Sequence, residues 1–109
     1  KFLKKNFFFK NKDFKEKKIK TENINNILKK YKFNKVDFLN IDLEGLEYEV
    51  IKSINFKKFK INLICVEILD HNTISRNKSK KIHQILKKNN FEYLKKIGVN
   101  SIFKNNSFY

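Results

Sequence analysis

The sequence predicts an α/β fold, with parallel strands, helices on both faces and a closing antiparallel hairpin. Three observations carry that expectation. Two dense apolar runs, VDFLNI and NLICVEI, have strand length and lack the polar alternation of a sheet face in water. Segments with helical apolar spacing alternate with these runs, as in layered α/β proteins. Gly98 then separates two further strand-like stretches, which read as a hairpin.

Taken in order, the first eighteen residues mix Lys, Asn and Phe with poor periodicity; part of them, around Phe7 to Phe9, is expected to form a strand and much of the rest a loop. Thr21 reads as an N-cap, followed by Ile24, Ile27, Leu28 and Tyr31 at helical spacing. Val36 to Ile41 forms the first buried strand and ends at Asp42. After Gly45, residues Leu46, Val50, Ile51 and Ile54 recur on one helical face. Glu47 and Glu49 lie early and Lys52 late, in accord with the helix dipole. Leu63 to Ile68 forms the second strand. A third helix over Ser79 to Lys88 turns Ile82, Ile85 and Leu86 inward and His83 outward, and Asn89 or Asn90 takes the left-handed end. Phe91 to Ile97 and Ser101 to Phe103 close the sheet, with Phe38 and Phe91 at core-pattern positions.

Composition narrows the function classes. The 109 residues suit one folding unit, and a hydrophobic share of 40% is too high for a disordered chain. The net charge of +15 points toward a polyanion. Against it, Arg76 is the only arginine, and arginine is the preferred residue for bidentate contacts to bases and phosphates. A-T-rich coding accounts for Lys, Asn, Ile and Phe together. Cys65, the single cysteine, excludes an intramolecular disulfide and reads as a structural thiol inside an apolar run. No apolar stretch approaches the roughly 20 residues of a membrane span, and no secretory h-region forms, so a cytoplasmic location is expected. The chain has no Met, which is expected of a piece of a longer protein.

Open parallel sheets bind ligands beyond the C-terminal ends of their strands. Asp42 ends the first buried run, with Glu44 and Gly45 directly after it. Glu67 lies near the end of the second, followed by Asp70 and His71. If these strands are parallel neighbours, the acids and His71 converge on one rim. Each has a plainer alternative: Asp42 as the cap of the next helix, Glu44 as a solvated turn, His71 as a surface histidine. Gly45 reads as a conformational requirement. Glu67 follows LICV and needs a hydrogen bond, a cation or a site. Asp42, Glu44 and Glu67 also suit a divalent metal as oxygen donors, although spacing alone gives that no support, and no metal is expected.

The stretch VDFLNIDLEGLEYEVIKSINF, Val36 to Phe56, resembles the signature of FkbM-type methyltransferases: an apolar strand, then I-D-x-E-G-x-E, then V-[IL]-K. Thr21 to Leu28 resembles the segment that precedes it in the family, ICVEI the following strand, and NSIFKN the closing strand. The resemblance covers roughly residues 21–104, while 1–18 stay poorly patterned. It implies the C-terminal half of a Rossmann-like class I methyltransferase sheet. The methyl donor would be S-adenosyl-L-methionine, and the acceptor a hydroxyl of a sugar, glycan or small natural product. By position Asp42, Glu44, Gly45 and Glu47 match the motif. Asp42 would face the methyl-transfer region, with Glu44, Glu67 and His71 as further catalytic candidates and Gly45 and Glu47 as motif residues of structural role.

The family's glycine-rich turn has no counterpart before Thr21, so the cofactor-binding residues stay unassigned and the chain alone is expected to bind the cofactor poorly. The missing N-terminal half is its expected partner. Half a sheet exposes an edge strand and one uncovered face, which predicts aggregation or partner-dependent folding. The competing reading is a small basic binding module on nucleic acid or another polyanion. It requires a contiguous basic face, whereas the lysines are spread along the chain, and no specific nucleic acid is expected.

Overall fold

The computed structural model describes residues 2–8, 14–20 and 22–109, with side chains from residue 22 onward. Strands β1 (Phe2–Phe8) and β2 (Phe14–Lys20) pair antiparallel as a two-stranded sheet, with Phe2 opposite Lys20 and Phe8 opposite Phe14. The strand expected at Phe7 to Phe9 therefore lies partly in β1, and Phe9 falls outside the described residues. Then come α1 (Ile24–Lys30), β3 (Lys35–Ile41), α2 (Glu47–Ser53), β4 (Lys60–Glu67), α3 (Thr73–Lys88), β5 (Phe91–Ile97) and β6 (Asn100–Asn105).

The second sheet has the order β3-β4-β6-β5. β3 and β4 are parallel, as their continuous apolar runs require. β6 is antiparallel to both its neighbours, so β5 runs in the same direction as β3 and β4. The closing hairpin thus inserts its second strand against β4 and leaves its first at the edge. The chain reverses between β5 and β6 through Gly98, at φ 61°, a left-handed conformation that costs glycine little.

Helix boundaries follow the caps. Asn23 starts α1, its side-chain oxygen accepting the Asn25 N–H at 2.8 Å, while Thr21 lies outside the described residues. α3 starts at Thr73, six residues before the apolar periodicity begins. Asn72 and Ser75 form a reciprocal capping box there. Its first turn carries only Ile74 as an aliphatic residue, and that side chain is 72% exposed, so periodicity gave no signal. α2 opens at Leu46 without a side-chain cap, and Asp42 therefore does not serve as one.

Ile51 and Ile54 from the α2 region and Ile82 and Leu86 from α3 pack on Ile41, Ile64, Val66 and Phe103 of the sheet. Ile51, Ile64, Val66 and Leu86 are fully enclosed, each contributing about 1.5–3 kcal/mol of burial. Side chains alternate across a sheet, so Phe38, Leu63, Cys65 and Ile102 project from the other face, in adjacent register. Phe38 is 56% exposed and Cys65 half-buried, so neither occupies the enclosed position that its pattern implied. Phe91 is buried as expected. His83 departs from the outward position expected of it. It is half-buried and packs edge-on against Phe103 at 5.0 Å and tilted against Tyr93 at 5.4 Å, because its turn of α3 lies over β5 and β6.

Candidate functional site

Ile41 and Val66 stand opposite each other in parallel register, so Asp42, the residue after β3, lies beside Glu67 at the C-terminal rim. The chain after β3 does not enter a helix at once. Glu44, at φ 49°, and Gly45, at φ 110°, take two successive positive-φ conformations and turn the chain between β3 and α2. A side chain at Gly45 would be strained by that φ, although nothing lies within 4 Å of its open face. Glu44 accepts the same kind of strain without a glycine.

Glu47 holds this turn from inside. Its carboxylate, 6% exposed, accepts the Leu43 N–H at 2.6 Å and the Gly45 N–H at 2.9 Å. Two charge-assisted bonds explain why a carboxylate is tolerated at a buried position. From the opposite side, the Lys78 ammonium of α3 donates to the Gly45 carbonyl at 2.7 Å and lies 3.7 Å from a Glu49 oxygen. Gly45 is therefore fixed at both its N–H and its C=O by side chains from different elements.

Asp42, Glu47 and Glu67 bring one carboxylate oxygen each within 4.8 Å of one another. The Glu67 carboxyl is pushed above its ordinary value. Partial loss of solvent is the first cause, followed by the charge of Asp42 and a hydrogen bond with it, then by Glu47 and Glu44. A carboxyl so placed binds a proton more readily than an isolated one and can exchange one with a bound hydroxyl. A cleft of about 70 Å³ opens beside it, lined by Glu67, Gly45, Tyr48, Leu69, Lys78 and Ile82 among others. Three carboxylate oxygens at this spacing form a donor set that also suits a hard cation.

Of the residues singled out in the sequence, the structure thus brings together Asp42, Glu67 and Glu47. Glu44 is exposed beside them and reaches Glu67 through its charge. His71 is exposed in the turn before α3, where its backbone N–H donates to Ser75 Oγ at 3.1 Å, and it lies outside the carboxylate group. Lys78 had no distinguishing signal in the sequence. It is one of many lysines on α3, and its partner is a backbone carbonyl 33 residues away.

For a sulfonium cofactor, the rim offers negative charge toward a cationic centre and the open backbone face of Gly45. The two glycines of the chain lie in separate turns, and no glycine-rich phosphate- or ribose-approaching loop accompanies the rim. These residues therefore fit the methyl-transfer side of such a ligand. Among the described residues, no helix is long and apolar enough to cross a membrane.

A family model described as the Methyltransferase FkbM domain matches residues 3–93, which include the whole carboxylate rim and begin well before the clearest sequence motif. Searches of curated proteins and of solved structures returned no significant match.

Proposed function

The chain belongs to the FkbM methyltransferase family, and from that premise we propose that it forms the acceptor side of an S-adenosyl-L-methionine-dependent O-methyltransferase acting on a hydroxyl of a sugar or small natural product. The observation that carries this reading is the Asp42–Glu67 carboxyl pair at adjacent ends of two parallel strands, beside a small cleft. When bound, the cofactor supplies an activated methyl group on a positive sulfur. Asp42 accepts a hydrogen bond from the acceptor hydroxyl and turns its oxygen toward the reaction centre. As the new carbon–oxygen bond forms, the methyl–sulfur bond would break with its electron pair staying on sulfur, and the hydroxyl proton would pass to the Asp42–Glu67 pair, where the raised proton affinity of Glu67 favours its retention. Alignment and exclusion of water supply most of the acceleration in such a displacement. Glu47 and Lys78 act indirectly, by fixing the turn that carries Asp42 and Gly45.

The family's glycine-rich cofactor turn lies outside these 109 residues on this reading, so tight cofactor binding needs further chain. Calorimetric titration of S-adenosylhomocysteine into this chain and into the protein of the complete reading frame tests it. Binding to the longer protein alone supports the assignment. Binding to neither, with the longer protein well folded, removes the enzyme reading.

A further inference from the structure

The end of the sheet opposite the carboxylates is built from segments far apart in sequence. Asn25 donates from its side chain to the Ser53 carbonyl at 2.7 Å and accepts the Asn55 N–H at 2.8 Å, joining α1 to the end of α2. The Lys60 N–H meets the Asn34 carbonyl at 2.9 Å, and the Asn106 N–H meets the Asn90 carbonyl at 3.0 Å. Three lysine pairs converge on this end: Lys29–Lys30 closing α1, Lys57–Lys58 before β4 and Lys87–Lys88 closing α3. All six are exposed. None of them lies within ion-pair distance of a carboxylate among the described residues. The acids Asp42, Glu44, Glu47 and Glu67 lie at the other end, seven residues or about 23 Å along β4. Among the described residues the fold thus sorts charge in part: four acids share one end and three exposed lysine pairs the other, while Asp37 and Glu92 lie toward the lysine end and Arg76, Lys78, Lys95 and Lys96 toward the rim.

At the lysine end, α1 presents an apolar edge that the described residues leave partly exposed. Ile27 is 40% exposed and Tyr31, one turn on, 62% exposed. Phe33 is 51% exposed, and its N–H bonds to the Leu28 carbonyl at 2.8 Å, which holds the turn against the helix. We propose that this end docks on an anionic lipid surface, Ile27, Tyr31 and Phe33 entering the interface while the lysine pairs meet the headgroups. Lysines near such a surface are attracted to it individually, and an aliphatic–aromatic edge among them adds buried apolar area. Charge complementarity alone also suits a nucleic acid, but two features favour lipid. Ile27 has no face for stacking on bases. The sole arginine, Arg76, lies in the first turn of α3, at the acidic end, away from these lysines. Docking in this orientation turns the carboxylate rim away from the surface.

The test is co-sedimentation of the complete-frame protein with phosphatidylcholine vesicles, with and without about one-third phosphatidylserine. The expected result is binding to the anionic vesicles alone, weakened at least about tenfold by the double change Lys29→Glu with Lys30→Glu. The charge-matched change Lys95→Glu with Lys96→Glu on β5 should weaken it far less. Tyr31→Ser with Phe33→Ser should weaken it several-fold with an unchanged circular dichroism spectrum. Equal losses from the two lysine changes, or no effect of the aromatic change, overturn the proposal by reducing the attraction to bulk charge. Tighter binding to polyadenylate at matched phosphate, with the same dependence on Tyr31 and Phe33, overturns it in favour of nucleic acid.

Discussion

Glu67 shares its proton environment with Asp42 because Ile41 and Val66, one residue earlier on each strand, are paired in parallel register. The closeness of two acids is therefore a property of the sheet and does not depend on a flexible loop. It follows that the negative charge at this rim is held together by folding and is released by unfolding.

That relationship has a pH dependence of definite sign. The folded state binds the Glu67 proton more tightly than the unfolded chain does, so its protonated form favours folding fully below the ordinary value of 4.5. The advantage is lost as pH rises through the raised folded value. Glu67→Gln should raise the melting temperature at neutral pH and flatten this decline. Thermal melts of the complete-frame protein from acid to neutral pH check it, and a lower melting temperature for the variant at neutral pH would count against the pairing.

His83 should act in the opposite direction. Burial lowers its proton affinity below the ordinary value of 6.5, so the folded state favours the neutral ring and stability falls as pH drops below that value. The ring packs edge-on against Phe103 and tilted against Tyr93, geometries that a phenyl ring can also take. His83→Phe is expected to keep neutral-pH stability within about 1 kcal/mol and to remove this loss in mild acid. Denaturant midpoints at two pH values read the difference.

Glu47 and Lys78 together determine the shape of the turn. Glu47→Ala leaves the part-buried Leu43 and Gly45 N–H groups without their acceptor, which should cost about 1–3 kcal/mol. Lys78 is partly exposed, so Lys78→Met should cost only about 1 kcal/mol globally. Its clearer effect is local: faster amide exchange at Gly45, restored in part by Lys78→Arg. Denaturant unfolding measures the first expectation and residue-resolved hydrogen exchange the second.

The convergence of Asp42 and Glu67 was legible in the sequence, because both end apolar runs of strand length and parallel neighbours place such ends side by side. The anchoring of Gly45 was half legible. Its need for a positive φ follows from glycine before a helix, but the same conformation at Glu44 does not, since any residue can be forced there by its surroundings. Insertion of β6 between β4 and β5 was not legible, because the Gly98 hairpin is equally compatible with either strand docking on β4. The sorting of lysines was hidden for a similar reason. Lys29, Lys57 and Lys87 reach the same end of the sheet only through the contacts that tie α1 to the end of α2 and residue 34 to the β4 entrance, and through the direction of α3. Lys78 and His83 depend on which turn of α3 faces the rim and the hairpin, and the polar first turn of that helix concealed its true start.

The measurement that bears most directly on the central claim is transfer of labelled methyl from S-adenosyl-L-methionine to a panel of hydroxylated sugars and glycans. It compares the complete-frame protein with its Asp42→Asn variant. The account predicts labelled product from the parent, and a loss of about 10²-fold or more in the variant with S-adenosylhomocysteine affinity nearly unchanged. Full activity in the Asp42→Asn protein would contradict the assignment of the carboxyl pair to the acceptor.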